Sequence, residues 1–149
     1  MLESAATAFS VLPVEVDTSL LANVRRNIVQ SIRAFRVSDL QIEAARLGQH
    51  FLYTYCAEAT TRTQVLAIIA RAFHFRRHFG KKFDALEECL TALAHKAGPQ
   101  PGFLVVLEQL PNTSKFDKEA RESLLDVFRD AADFWAEKKI AFRVFYSFQ

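Results

Sequence analysis

At 149 residues, half of them hydrophobic and fourteen of them Phe, the chain is long enough to bury a core and short enough to be one domain with an appendage. Nineteen Lys and Arg against seventeen Asp and Glu leave a net charge of +2. That is too little to argue for nucleic acid as a partner, so the placement of charge has to carry the functional reading. No apolar run approaches the roughly 18 residues of a membrane span, and the start MLESAATAFSVLPVEVD has no basic segment ahead of an apolar core. These features indicate a cytoplasmic protein with no membrane partner.

In chain order, a helical rhythm runs from Asp17 to Leu47. LLANVRRNIVQSI sets Leu20, Val24, Ile28 and Ile32 on one face, AFRV is a candidate short strand, and SDLQIEAARLG begins on a Ser cap and ends at Gly48. Residues 1–48 therefore read as a mostly helical N-terminal extension, with a second unit over residues 49–149. HFLYTYC is rich in aromatic and β-favouring residues and predicts a strand. TTRTQVLAIIARAF, with Thr cap candidates and a stripe of Val65, Ile68, Ile69 and Ala72, predicts a helix. A basic loop leads to the helix FDALEECLTAL, and GFLVVLEQL follows as a near-continuous apolar strand. The long amphipathic helix DKEARESLLDVFRDAADFWAEKK and the strand IAFRVFYSF close the chain. This order predicts an α/β fold with a small three-stranded parallel sheet and helices packed on it.

The segment RRHFGKKFDALEECL sets four cations directly before three carboxylates. In its helix, Phe83, Leu86, Leu90 and Leu93 share a face beside Cys89, and Asp84, Glu87, Glu88 and Thr91 point outward. Acids in the first turns suit the positive end of the helix dipole, which alone would favour some of them. A second acidic stripe, however, lies on the long helix. There Leu124, Phe128, Ala131, Ala132 and Trp135 form the core face, with Glu122, Asp126, Asp130, Asp133 and Glu137 outside. Two such helices lying side by side would pool their carboxylates into a surface for a cationic partner.

Other chemistries find less support. His74 and His78 are four residues apart and Cys56 or Cys89 could join them, but Arg76 and Arg77 between them would repel a cation, and no C-x-x-C or H-E-x-x-H motif accompanies them. Neither a metal nor a cofactor is implied. Cys89 beside an apolar stripe fits a core thiol, and both Cys fit reduced thiols in a reducing compartment. Asp84 and Glu88, exposed on a helix, lack the desolvation that would tune an acid/base pair, so an enzyme is not implied. Arg71, Arg76, Arg77, Lys81 and Lys82 with Arg25 and Arg26 could contact nucleic acid, against which the adjoining carboxylates count.

HFGKKFDALEECL resembles the signature of the barstar family, intracellular inhibitors of microbial ribonucleases. In that signature a ring-ring-Gly turn leads into a D-A-L-x-[DE]-C-L helix. FLVVLEQL, LLDVFRDA and a final strand follow in the family's order, so the resemblance spans about residues 50 to 148. It implies three parallel strands with helices, and an acidic plug for the active site of a basic, barnase-like ribonuclease or a related toxin. Carried over by position, the turn falls on His78, Phe79, Gly80, Lys81 and Lys82, with His78 as the partner-contacting ring. The helix carboxylates fall on Asp84 and Glu88, with Glu88 as the anchor, and the long-helix acid falls on Asp130. Two departures stand out: Lys81 and Lys82 occupy positions that are acidic and amide-bearing in the prototype, and Glu87 replaces its tryptophan. Both bear on which partner is recognised.

Overall fold

The computed structural model describes residues 20–75, 82–93 and 101–149. In chain order the elements are β1 (Asn27–Ser31), α1 (Val37–Leu47), β2 (His50–Tyr55), α2 (Arg62–Ala72), α3 (Phe83–Thr91), β3 (Gly102–Leu110), α4 (Lys118–Glu137) and β4 (Ala141–Phe148). The strands form one parallel sheet in the order β1-β4-β3-β2. None of the helices among the described residues is long and apolar enough to cross a membrane.

The α/β class and the parallel sheet are as the sequence predicts, but the sheet has four strands rather than three. The added strand comes from the segment expected to be helical. Leu20, Val24, Ile28 and Ile32 do not form one helix face: residues 20–24 form turns, and Asn27–Ser31 pairs in register with Phe142 to Tyr146 of β4. A four-residue spacing of apolar side chains suits a helix, yet β4 would otherwise leave a row of unpaired backbone groups along its side, and pairing satisfies them. The Asn27 side chain fixes the join, donating to the carbonyls of Ala132 at 3.0 Å and Ile140 at 2.9 Å. AFRV is not a strand either: Arg36 is the N-cap of α1 and Val37 its first residue, so Ser38 lies inside the first turn rather than capping it. Gly48 does end α1, in the left-handed conformation at φ 70° that a side chain would strain.

The centre of the sheet is buried on both faces. Alternate residues of β3 divide between two cores: Phe103, Val105 and Leu107 face α2, α3 and α4, whereas Leu104 and Val106 face α1. A continuous apolar run is what a strand covered on both sides requires. On the α1 side, Leu40 and Ala44 pack with Leu21 and Phe145, and Phe35 meets Phe145 edge-on at 5.3 Å. A buried cation lies in this layer. Arg143 of β4 donates from Nε to the Arg25 carbonyl at 3.0 Å. Burial lowers its pKa and nearby Arg26 adds to the effect, while Glu43 on α1 opposes it.

On the other face, α2 begins with a complete capping box. The Thr61 hydroxyl accepts from the Gln64 backbone, and the Gln64 side chain returns to the Thr61 backbone. The most buried residues of α2 are Val65, Leu66, Ile69 and Ala70, so its core face is rotated slightly from the stripe expected through Ile68 and Ala72. On α4 the expected stripe of Leu124, Phe128, Ala131, Ala132 and Trp135 is buried as predicted, joined by Ala120, Leu125 and Val127.

Because Asn27 ties β1 to the end of α4, Asn27→Ala removes both of these side-chain hydrogen bonds. It should lower stability by about 1–3 kcal/mol, measured as a shift in the urea unfolding midpoint at unchanged slope. A change within experimental error would show that the strand is not held by this side chain.

Candidate partner-binding site

The site is built on α3 and α4, which pack side by side on the sheet. α3 turns Ala85, Leu86 and Leu90 into the core, and Leu93 follows them just beyond its end. Phe83 and Cys89 are only half-buried, and neither cysteine is in a disulfide. Cys56, not Cys89, is the deeply buried thiol, and burial raises its pKa to about 11. The rotation of α3 is fixed from α4. Trp135 is buried against Phe103 of β3, with ring centroids 5.1 Å apart, and its indole Nε1 donates to the Leu90 carbonyl at 3.1 Å. That bond satisfies a carbonyl in the last turn of α3, where intrahelical partners run out.

With the helices so placed, Asp84, Glu87 and Glu88 lie on the outer side of α3, lining with Thr91 an open depression of about 230 Å³. Asp84 and Glu88 are exposed and Glu87 is half-buried. Asp130, exposed on α4, reaches Glu87: burial raises the Glu87 pKa first, and the charges of Asp130 and Asp84, with a hydrogen bond to Asp130, raise it further. The two helices thus bring carboxylates from separate parts of the chain into one electrostatic unit. Asp84 also sits in the first turn of α3, where the helix dipole favours a negative charge.

The acidic stripe of α4 is not uniform. Arg129 pairs with Asp126 at 2.6 Å and with Glu122 at 3.5 Å, so that end of the stripe carries its own counter-charge. Asp130 lies beyond these pairs, next to α3. Lys82 is the N-cap residue of α3 and is exposed; His78, Phe79, Gly80 and Lys81 lie outside the described residues. One neighbour had no sequence signal: the Arg62 guanidinium sits over the Phe83 ring at 4.5 Å, bringing a cation from the start of α2 to the start of α3. The pair is twenty-one positions apart, beyond any local spacing rule.

A chain with this order of strands and helices, carrying its acids on α3 and α4, matches a known family model: Barstar (barnase inhibitor), over residues 49–147. The chain belongs to the barstar family. Family members are inhibitors rather than enzymes. No curated protein and no solved structure matches the chain. Within the matched region lie β2, α2, α3, β3 and α4, and β4 lies there except for its last residue; β1 and α1 lie before it.

The raised Glu87 pKa fixes a sign for stability against pH. A carboxyl whose folded pKa exceeds its unfolded one stabilises the fold while protonated and loses that contribution as pH rises through the folded value. Glu87→Gln removes the loss. Thermal unfolding should therefore show wild type and Glu87→Gln alike near about pH 3, with the variant becoming the more stable by about pH 7. A variant less stable than wild type at neutral pH would mean that the Glu87 charge is favourable where it sits.

Proposed function

We propose that the protein is an inhibitor that binds a basic microbial ribonuclease and blocks its active site with the acidic surface of α3 and α4. Its side chains take the place of RNA phosphates against the Lys, Arg and His groups of the enzyme. The observation that carries this reading is that Asp84, Glu87 and Glu88 line one open depression on α3, with Asp130 of α4 near enough to raise the Glu87 pKa. Carboxylates held this close repel each other in the free protein, and cations of a partner relieve that repulsion on binding. The scaffold also holds their backbone in advance: α3 is seated by Leu86, Leu90 and the Trp135 bond, so little backbone freedom is left to lose.

Within this reading Glu88 is the anchor, Asp84 and Asp130 flank it, and Glu87 adds charge where the family prototype has a packing ring. By position in the sequence, His78, Phe79 and Gly80 fall where the family carries residues that contact the partner. The exposed Lys82 favours a second reading, in which the same surface neutralises a different toxin whose rim is acidic, with Lys81 and Lys82 as its contacts. The lack of a disulfide between Cys56 and Cys89 suits action in a reducing cytoplasm.

The test is cleavage of a fluorescent RNA by a barnase-type ribonuclease, titrated with the protein. Inhibition should be stoichiometric, and Glu88→Ala should weaken it by at least about 100-fold, because the truncation leaves enzyme cations buried without a partner. The unfolding temperature of the variant should stay close to that of wild type, as the site is on an exposed helix face. No inhibition by wild type would overturn the ribonuclease reading and leave the second one.

A further inference from the structure

The sheet face opposite the acidic helices carries a feature that the inhibitor reading leaves unused. Among the described residues β2 is an end strand, paired only with β3, and its sequence HFLYTY contains no Lys, Pro or acidic residue of the kind that protects a sheet edge. Leu52 and Thr54 turn into the core. Phe51, Tyr53 and Tyr55 alternate onto the α1 side, where Phe51 is packed beneath the helix layer and the other two rings are left exposed, Tyr55 by 53%. Phe51 and Tyr53 stack with ring planes 7° apart.

A carboxylate completes this strip. Glu108 of β3 lies directly opposite Tyr55 in register, and the Tyr53 hydroxyl donates to its Oε1. Among the described residues no Lys or Arg pairs with it, unlike Glu43 or Asp126. The strand leaves β3 at an irregularity: the register with β4 shifts between Leu107 and Leu110, and Gln109 takes φ 64° with its N–H donated to the Ser147 hydroxyl at 2.9 Å. Bulges of this kind re-aim neighbouring side chains. The backbone phase of β2 is also fixed. The Cys56 N–H points inward to the Glu108 carbonyl, so by strand alternation Phe51, Tyr53 and Tyr55 present their own N–H and C=O groups to the open edge.

We infer that the outer edge of β2 takes an extended peptide segment of a partner protein, paired to Phe51, Tyr53 and Tyr55, with a Lys or Arg of that segment seated over the Tyr55 ring beside Glu108. Backbone pairing at an open edge supplies affinity and side-chain pockets supply selectivity. Two electron-rich rings and a carboxylate that no Lys or Arg among the described residues pairs select a cation, by cation–π attraction and by charge complementarity. The strip belongs to the α1 layer and α3 to the other, so this surface is separate from the acidic depression and is tested without any ribonuclease.

The experiment uses the full chain labelled with ¹⁵N and a peptide Thr-Val-Arg-Val-Thr, capped at both ends, with a control carrying Glu in place of Arg. The expected result is saturable shifts of the Phe51, Tyr53 and Tyr55 amides. Affinity should be at least tenfold weaker for the control peptide, for Glu108→Gln and for Tyr55→Ala, with the rest of each variant's spectrum unchanged. Equal affinity for both peptides, shifts confined to α3, or no shift at millimolar peptide would overturn the proposal. A dimer seen by sedimentation that Tyr55→Ala dissociates and the peptide does not would overturn it too, since a second copy would then hold the edge.

Discussion

The Trp135 indole sets the geometry on which the rest of the acidic surface depends. Its ring is buried between α4 and the sheet, 5.1 Å from Phe103 and 5.2 Å from Phe134, and its N–H reaches across to the Leu90 carbonyl of α3. One side chain therefore fixes a helix to a strand and a second helix to the first. A buried donor that lost its acceptor would cost more than the bond itself contributes, so the packing of α3 on α4 is held in one arrangement. With α3 unable to rotate, Glu87 has to share its surroundings with Asp130.

This arrangement shows how a chain of nearly neutral net charge can present a charged surface. The field of a site is local, and two like charges brought together across a helix interface count for more than many scattered ones. The chain neutralises part of α4 in cis, through Arg129, and leaves Asp130 beside α3. Exposed pairs such as Arg129 with Asp126 add little to stability. Their consequence here is to offset the charge of Glu122 and Asp126.

The segment ahead of the family match has a different physical role. It contributes β1 to one side of the sheet and α1 to a face of the sheet whose residues Leu104, Val106 and Phe145 are apolar. Arg143, buried in β4, ties the Arg25 backbone to the middle of the sheet. Much of the fold was legible from residue patterns: the apolar run of β3, the amphipathic faces of α3 and α4, the Thr61 cap and the Gly48 stop all follow from local rules. β1 was not legible, because the spacing of Leu20, Val24, Ile28 and Ile32 fits a helix and only the open side of β4 makes a strand the better choice. The two stripes of outward acids were also visible in the sequence. What the sequence could not supply was which members meet, since the meeting of Glu87 with Asp130 depends on a helix crossing set by Trp135. Nor did spacing reveal the contact of Tyr53 with Glu108, which needs the register of two strands far apart in the chain.

Whether α3 and α4 merge their carboxylates into one unit is read from the Glu87 side-chain carboxyl, followed by ¹³C NMR through an acid titration in wild type and in Asp130→Asn. A shared surface gives a Glu87 midpoint above the ordinary glutamate range in wild type that falls when the Asp130 charge is removed. A midpoint that does not move on that substitution would show that the two helices hold their acids independently, and would contradict the shared surface.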